Sequence, residues 1–390
     1  MKLATRMGRL GTETAFEVLV KARKLEAEGK DVVHLEIGEP DFDTPANIIE
    51  AGTHALNNGF THYGPSAGLP DLRKRIAEDV AVTRDIPVTA DNVVVTPGGK
   101  PIMFFSILAV VDEGDEVIYP NPGFPIYESM IKFVGGVPVP MQLHESKDFN
   151  MDVDDVARKI TPKTKMIIIN SPNNPCGSVM TREQMKAIAD LAVKHDIVVL
   201  ADEIYKRFLF EGEFESITQF PGMPERTIIL DGFSKTYAMT GWRIGYGVMP
   251  KPLVEPISRL VTNSVSCTPA AVQMAALEAL NGSQEEAYGM VREFKRRRDI
   301  IVKGLNAIPG ITCKNPKGAF YVFPNVTGTG MTSRDFADRL LQEGGVAALA
   351  GEAFGQYGKG YLRFSFANSA ENIKKALGRI ETFAKNNRKK

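Results

Sequence analysis

TIILDGFSKTYAMTGWRIGYG, residues 227–247, is the stretch on which the fold turns. It opens with an apolar run, Ile228 to Leu230, that shows no polar alternation, the pattern of a strand buried on both faces. Lys235 stands just beyond that strand, and Arg243 follows beside Trp242, the only tryptophan in the chain. The end of a buried strand is an unusual place for a permanent charge. It suits an amine whose reactivity depends on losing its proton.

Comparable runs lie on either side: NVVVT (92–96), EVIYP (116–120), MIIIN ending at Asn170, IVVLAD ending at Asp202, and GYGVMP (245–250). Segments of helical period separate them, including 99–111 and 126–133. The alternation predicts an α/β fold around a largely parallel sheet. After about Ala270 it ceases. A long charged helix is predicted over 284–307, with its KRRRD run (295–299) as a solvated face. GAFYVFPN (318–325), a helix over 333–343, YLRFSFA (361–367) and a helix over 370–386 complete the chain. The basic ending KNNRKK (385–390) reads as a frayed tail. This part predicts a smaller α+β domain, joined by N-terminal residues that include a helix near 15–28. The expected division is a large domain over 45–275 and a small one built from 1–44 and 276–390.

The 390 residues are enough for two substantial cores. Lys+Arg and Asp+Glu both number 47, a balance that gives no reason to expect nucleic acid or a membrane surface as a partner. Cys176, Cys267 and Cys313 are far apart and lack metal-ligand spacing, so no metal is expected. An odd cysteine count also argues against a disulfide framework, and the opening MKLATRMGRL lacks a signal-peptide core. A cytoplasmic protein is expected.

In an open α/β sheet, ligands collect outside the carboxyl ends of the strands. Here those ends lead to Asn173 and Asn174 in SPNNPCG, to Asp202 and Tyr205 in ADEIY, and to Ser234 and Lys235. Taken singly, each has an ordinary structural reading: Asp202 as a helix cap, Asn174 as a turn residue, Tyr205 as a core aromatic, Lys235 as a loop lysine. Taken together they form a set suited to a pyridoxal ring. Asp202 can hold the ring nitrogen as a pyridinium, Asn174 and Tyr205 can donate to the phenolic oxygen, and Lys235 can form a Schiff base. TPGGKP (96–101) is a glycine turn opening a helix, a ready phosphate cradle that Ser234 and Arg243 can complete; a tight turn alone would also use those glycines. Arg363, on an otherwise apolar strand, is either paired internally or waiting for an anion.

The chain resembles the fold type I pyridoxal-phosphate enzymes, and more closely the class I/II aminotransferases in the subgroup of bacterial and archaeal aspartate aminotransferases. Seven motifs carry the likeness: IGEPDF (37–42), THYGPSAGLPDLR (61–73), YPNPGFPIYES (119–129), SPNNPCG, ADEIY, SKTYAMTGWRIGYG and YLRFSFA. The resemblance implies a large domain with a mostly parallel, seven-stranded-type sheet flanked by helices, and a homodimer with shared active sites. It implies Lys235 as Schiff-base lysine and proton shuttle, Asp202 on the pyridinium, and Tyr205 and Asn174 on the phenolic oxygen. Gly99, Lys100, Ser234 and Arg243 would hold the phosphate, with Tyr63 reaching that of the neighbouring subunit. Phe124 would stack on the ring, while Gly38, Arg363 and Asn174 would hold the substrate α-carboxylate.

There are departures from the family pattern. Cys176 replaces a usual Thr, Gly232 stands where some relatives have a phosphate-binding serine, and Phe124 replaces a Trp or Tyr. Lys100 resembles a family lysine that attracts acidic side chains, which favours glutamate/2-oxoglutarate with aspartate or another donor. The activity implied is transamination in two half-reactions. On the same fold, a lyase catalysing C–S β-elimination or a non-catalytic regulator that holds the cofactor are the alternatives.

Overall fold

The strand that precedes Lys235 lies inside a seven-stranded sheet in the computed structural model, which describes residues 2–387. In chain order the strands are β1 (Val33–His34), β2 (Val93–Thr96), β3 (Glu116–Asn121), β4 (Val137–Gln142), β5 (Thr164–Asn170) and β6 (Val198–Asp202). Then come β7 (Thr227–Gly232), β8 (Gly245–Val248), β9 (Tyr321–Val322), β10 (Val346–Ala347), β11 (Leu349–Ala350) and β12 (Leu362–Ser365). The first helices are α1 (Thr14–Ala27), α2 (Ala46–Asn57), α3 (Pro70–Arg84), α4 (Lys100–Val110), α5 (Ile126–Val134) and α6 (Val153–Lys159). The others are α7 (Arg182–Lys194), α8 (Lys251–Val265), α9 (Ala270–Asn281), α10 (Glu285–Asn306), α11 (Ser333–Arg339) and α12 (Ala370–Asn387).

The large sheet runs β2-β8-β7-β6-β5-β3-β4, and only β8 is antiparallel to its neighbours. Ile167 and Ile169 of β5 pack with α6 and α7 on one face, and Ile168 packs with α4, α5 and α8 on the other. Successive side chains of a strand point to opposite faces, so a strand covered on both sides must be apolar throughout. Each such isoleucine contributes about 1.5–3 kcal/mol by leaving water.

β4, VPVPMQ, escaped the sequence reading because of Pro138 and Pro140. It is an edge strand pairing only with β3. Val137 N donates to Asp115 O at 2.8 Å and Leu143 N to Asn121 O at 2.9 Å, so the odd-numbered amides face the sheet. The two prolines take the outward positions, where no ladder bond is lost.

Beyond the large sheet, β11, β12 and β9 form a three-stranded antiparallel sheet. β1 pairs in parallel with β10, which ties the N-terminal segment to the C-terminal third. The expected solvated face at KRRRD is corrected in part. Arg297 and Arg298 are 6% and 4% exposed, respectively. Arg297 pairs with Asp41 at 2.6 Å and lies 4.9 Å from the Phe42 ring centre, while Arg298 pairs with Glu211 at 2.8 Å and lies 5.2 Å from that of Phe210. Arg297 and Arg298 face protein because distant loops pack over them, whereas Lys295, Arg296 and Asp299 stay exposed. The frayed tail is corrected in part: Lys385 to Asn387 are helical in α12, and the remainder lies outside the described residues. No described helix is long and apolar enough to cross a membrane.

Candidate active site

A cavity of about 540 Å³ opens above the carboxyl ends of β5, β6 and β7. Adjacent parallel strands put Asn170 opposite Asp202, and Asp202 opposite Leu230, which leads on to Lys235. Gly38, Gly99, Lys100, Phe124, Asn174 and Asp202 all line the cavity, as do Tyr205, Ser234, Lys235, Arg243 and Arg363. Tyr63 does not. It is 88% exposed, beside a separate groove near Leu56, Phe60 and Trp242.

Lys235 is half-buried, and its Nζ donates to Gly38 O at 2.6 Å. Burial brings its pKa down to about 8, helped by Arg243 and Arg363 and opposed by Glu39. Asp202 ends β6 and is pushed up to about 6, chiefly by burial and against the pull of the Tyr127 hydroxyl, which donates to its Oδ2 at 2.5 Å. Its Oδ1 accepts from the Ile204 amide at 3.2 Å, so the carboxylate also shapes the turn out of the strand. Among the described residues no cation forms an ion pair with Asp202.

The glycine turn precedes α4. Gly98 has φ +91°, and a Cβ there would fall 2.3 Å from Arg243 Nη2. Only glycine lets the guanidinium approach this close to the backbone. Arg243 is itself left-handed, at φ 54°, with Nη1 donating to Thr240 O at 2.7 Å. Gly99 caps an eleven-residue helix, and Gly99 and Lys100 at its positive dipole end line the cavity together with this arginine. A side chain at Gly232 would be tight: its Cβ would lie 3.0 Å from Gly245 Cα, so the neighbouring strand would have to yield by a few tenths of an ångström.

Arg363 is buried on β12. Its Nη1 donates to Asn174 Oδ1 at 3.3 Å, Nη2 donates to Glu36 O, and Nε has no partner. Its guanidinium lies 4.6 Å from the Tyr321 ring centre and 4.9 Å from that of Phe354. No described carboxylate pairs with it. Burial lowers its pKa.

Sequence reasoning assigned no role to Glu13, Phe16, Tyr127 or Tyr321, although all four line the cavity. Tyr321 hydrogen-bonds Tyr205 hydroxyl to hydroxyl at 2.7 Å, and burial raises the pKa of both phenols. It also stands where a Gly38 Cβ would be, 2.0 Å from that position. Tyr127 sat within a recognised motif. Glu13 had no local signal, since it reaches the site only through tertiary folding. Among the described residues, no three His, Cys, Asp or Glu side chains gather as a metal site.

The family model for aminotransferase class I and II matches residues 30–380. An aspartate aminotransferase of Pyrococcus horikoshii is 42% identical over 369 residues, covering 94% of this chain and 93% of that one. An aromatic-amino-acid aminotransferase of Thermococcus litoralis is 39% identical over 358 residues, covering 91% and 92%. Among solved structures, an aspartate aminotransferase from Thermus thermophilus with maleate matches at TM-score 0.93 and 39% identity, covering 98% and 99%.

Proposed function

The chain belongs to the class I and II aminotransferases and is a transaminase, and from that premise we propose its cofactor and substrates. The cofactor is pyridoxal 5'-phosphate. The substrates are an L-amino acid and a 2-oxo acid, with glutamate/2-oxoglutarate as one pair and aspartate or another donor supplying the other. One observation carries this reading. A half-buried lysine, a buried aspartate without a cation and a buried arginine without a carboxylate all face one cavity.

The residues fit the cofactor. Asp202 lacks the positive charge that a pyridinium nitrogen would bring. Gly99 and Lys100 amides, Ser234 and Arg243 would hold the phosphate, and Asn174 and Tyr205 the phenolic oxygen. Phe124 would lie against the ring. When bound, the cofactor supplies an electron sink for charge developing at the substrate's α-carbon. Arg363, with Asn174 and Gly38, holds the α-carboxylate and so orients the α-hydrogen. Lys235 takes that proton at Nζ and later returns it, and its lowered pKa keeps the free amine accessible near neutrality. Lys100 attracts an acidic side chain. Tyr63 completes the phosphate site of a second subunit in a homodimer.

The test is a panel of amino donors with 2-oxoglutarate, scored by the initial rate of glutamate formation. Aspartate should be among the active donors. Lys235→Ala should abolish turnover and the visible absorbance of the cofactor-linked lysine, and retention of both would refute the assignment. Equal aspartate rates in wild type and Lys100→Ala would remove the proposed role of Lys100.

A further inference from the structure

The charge proposed to attract acidic substrates already has a partner within the chain. Glu13 stands just before α1, makes no capping bond there, and turns its carboxylate onto Lys100 Nζ. Its side chain is 17% exposed against 48% for Lys100, so the carboxylate is the inner member of the pair. Lys100 Nζ also lies 5.9 Å from the ring centre of Phe16 and 5.6 Å from that of Phe124. Glu13 and Phe16 come from the N-terminal segment, Lys100 and Phe124 from the large-sheet side, and all four line the cavity. The Glu13 charge also reaches Lys235 and Arg363.

We propose that Glu13 is a specificity-determining residue, an internal carboxylate that competes with a substrate's side-chain carboxylate for Lys100. This rests on the transaminase reading and on Lys100 facing the substrate's side chain. A monocarboxylic substrate meets a neutralised pair flanked by two phenyl rings and leaves no charge without a partner. A dicarboxylic substrate has to displace Glu13, since two carboxylates sharing one ammonium repel each other. Glu13 makes no capping bond to α1, so its carboxylate can swing off Lys100 while the large sheet stays in place. Both substrate classes are thus accepted, and Glu13 sets the ratio between them.

The test compares succinate with butyrate, which share a four-carbon chain and differ by one carboxylate. Dissociation constants are measured calorimetrically on the holoenzyme of wild type, Glu13→Gln and Lys100→Ala. Glu13→Gln keeps the shape and removes the competing charge. It should tighten succinate about tenfold, the factor expected for losing one partly exposed like-charge contact, and leave butyrate within about twofold. Lys100→Ala should weaken succinate and spare butyrate. Succinate binding that is unchanged or weakened in Glu13→Gln, or a shift of the same size for both acids, would overturn the proposal. The two failures are separable. Absence of glutamate formation with every donor overturns the transaminase reading, whereas an unchanged succinate-to-butyrate ratio overturns the role of Glu13.

Discussion

Asp202 shows how one residue sets stability against function. Burial raises its pKa from an ordinary 3.8 to about 6 in the cofactor-free chain. Below pH 4 both folded and unfolded states hold the proton, and the site costs nothing. Between about 4 and 6 the unfolded chain ionises first, so stability falls; above 6 the loss is complete. Two units correspond to about 3 kcal/mol. Asp202→Asn keeps an acceptor for Tyr127 and removes the buried charge. Thermal unfolding of the cofactor-free variant should therefore occur a few degrees above wild type at pH 8, with the difference vanishing at pH 4. Adding cofactor should stabilise wild type more than the variant, and transamination should fall at least ~100-fold. A variant no more stable at pH 8 would show that Asp202 already has a compensating partner.

At the scale of elements, a buried ionic network joins α3 to the ends of β6 and β7. Arg84, the last residue of α3, has no exposed surface. Its Nη2 lies 2.9 Å from both Glu203 Oε2 and Asp231 Oδ2, and Lys206 Nζ lies 2.7 Å from the same Asp231 oxygen. Glu203 follows Asp202, and Asp231 leads to Lys235, so the network fixes two of the segments that frame the cavity. Arg84→Met leaves Glu203 without its cation and should cost about 3–5 kcal/mol in urea unfolding. Adding Glu203→Gln to that chain should recover part of the loss, and no recovery would assign the cost to lost packing. The sequence revealed the strands because burial on both faces imposes a continuous apolar run. It hid β4, where edge position lets prolines replace ladder residues, and within KRRRD it misassigned Arg297 and Arg298, which pair with residues remote in the chain.

At the scale of the whole molecule, Tyr63 marks what a single chain leaves incomplete. It lies outside the cavity, on a face it shares with exposed Leu56 and Phe60. If Tyr63 completes a second subunit's site, mixing Lys235→Ala with Tyr63→Phe chains rebuilds one native site in each hybrid. Activity should then exceed that of either variant alone after subunits are exchanged. Tyr63→Phe by itself should weaken cofactor binding about tenfold, the worth of one hydrogen bond to a charged group. A mixture no more active than its components would exclude shared sites.

The sequence by itself determined the α/β sheet and the order of the groups at its carboxyl edge. Strand burial and strand-end chemistry are written in short contiguous stretches, and parallel pairing aligns those ends without further instruction. Asn174, Asp202 and Lys235 were legible for that reason, and Arg363 as a charge on an otherwise apolar strand. Only the tertiary structure decided that Glu13 meets Lys100, that Tyr127 meets Asp202 and that Tyr321 meets Tyr205. Those contacts join residues from different elements, and their partners are selected by the packing of the folded chain rather than by any local pattern.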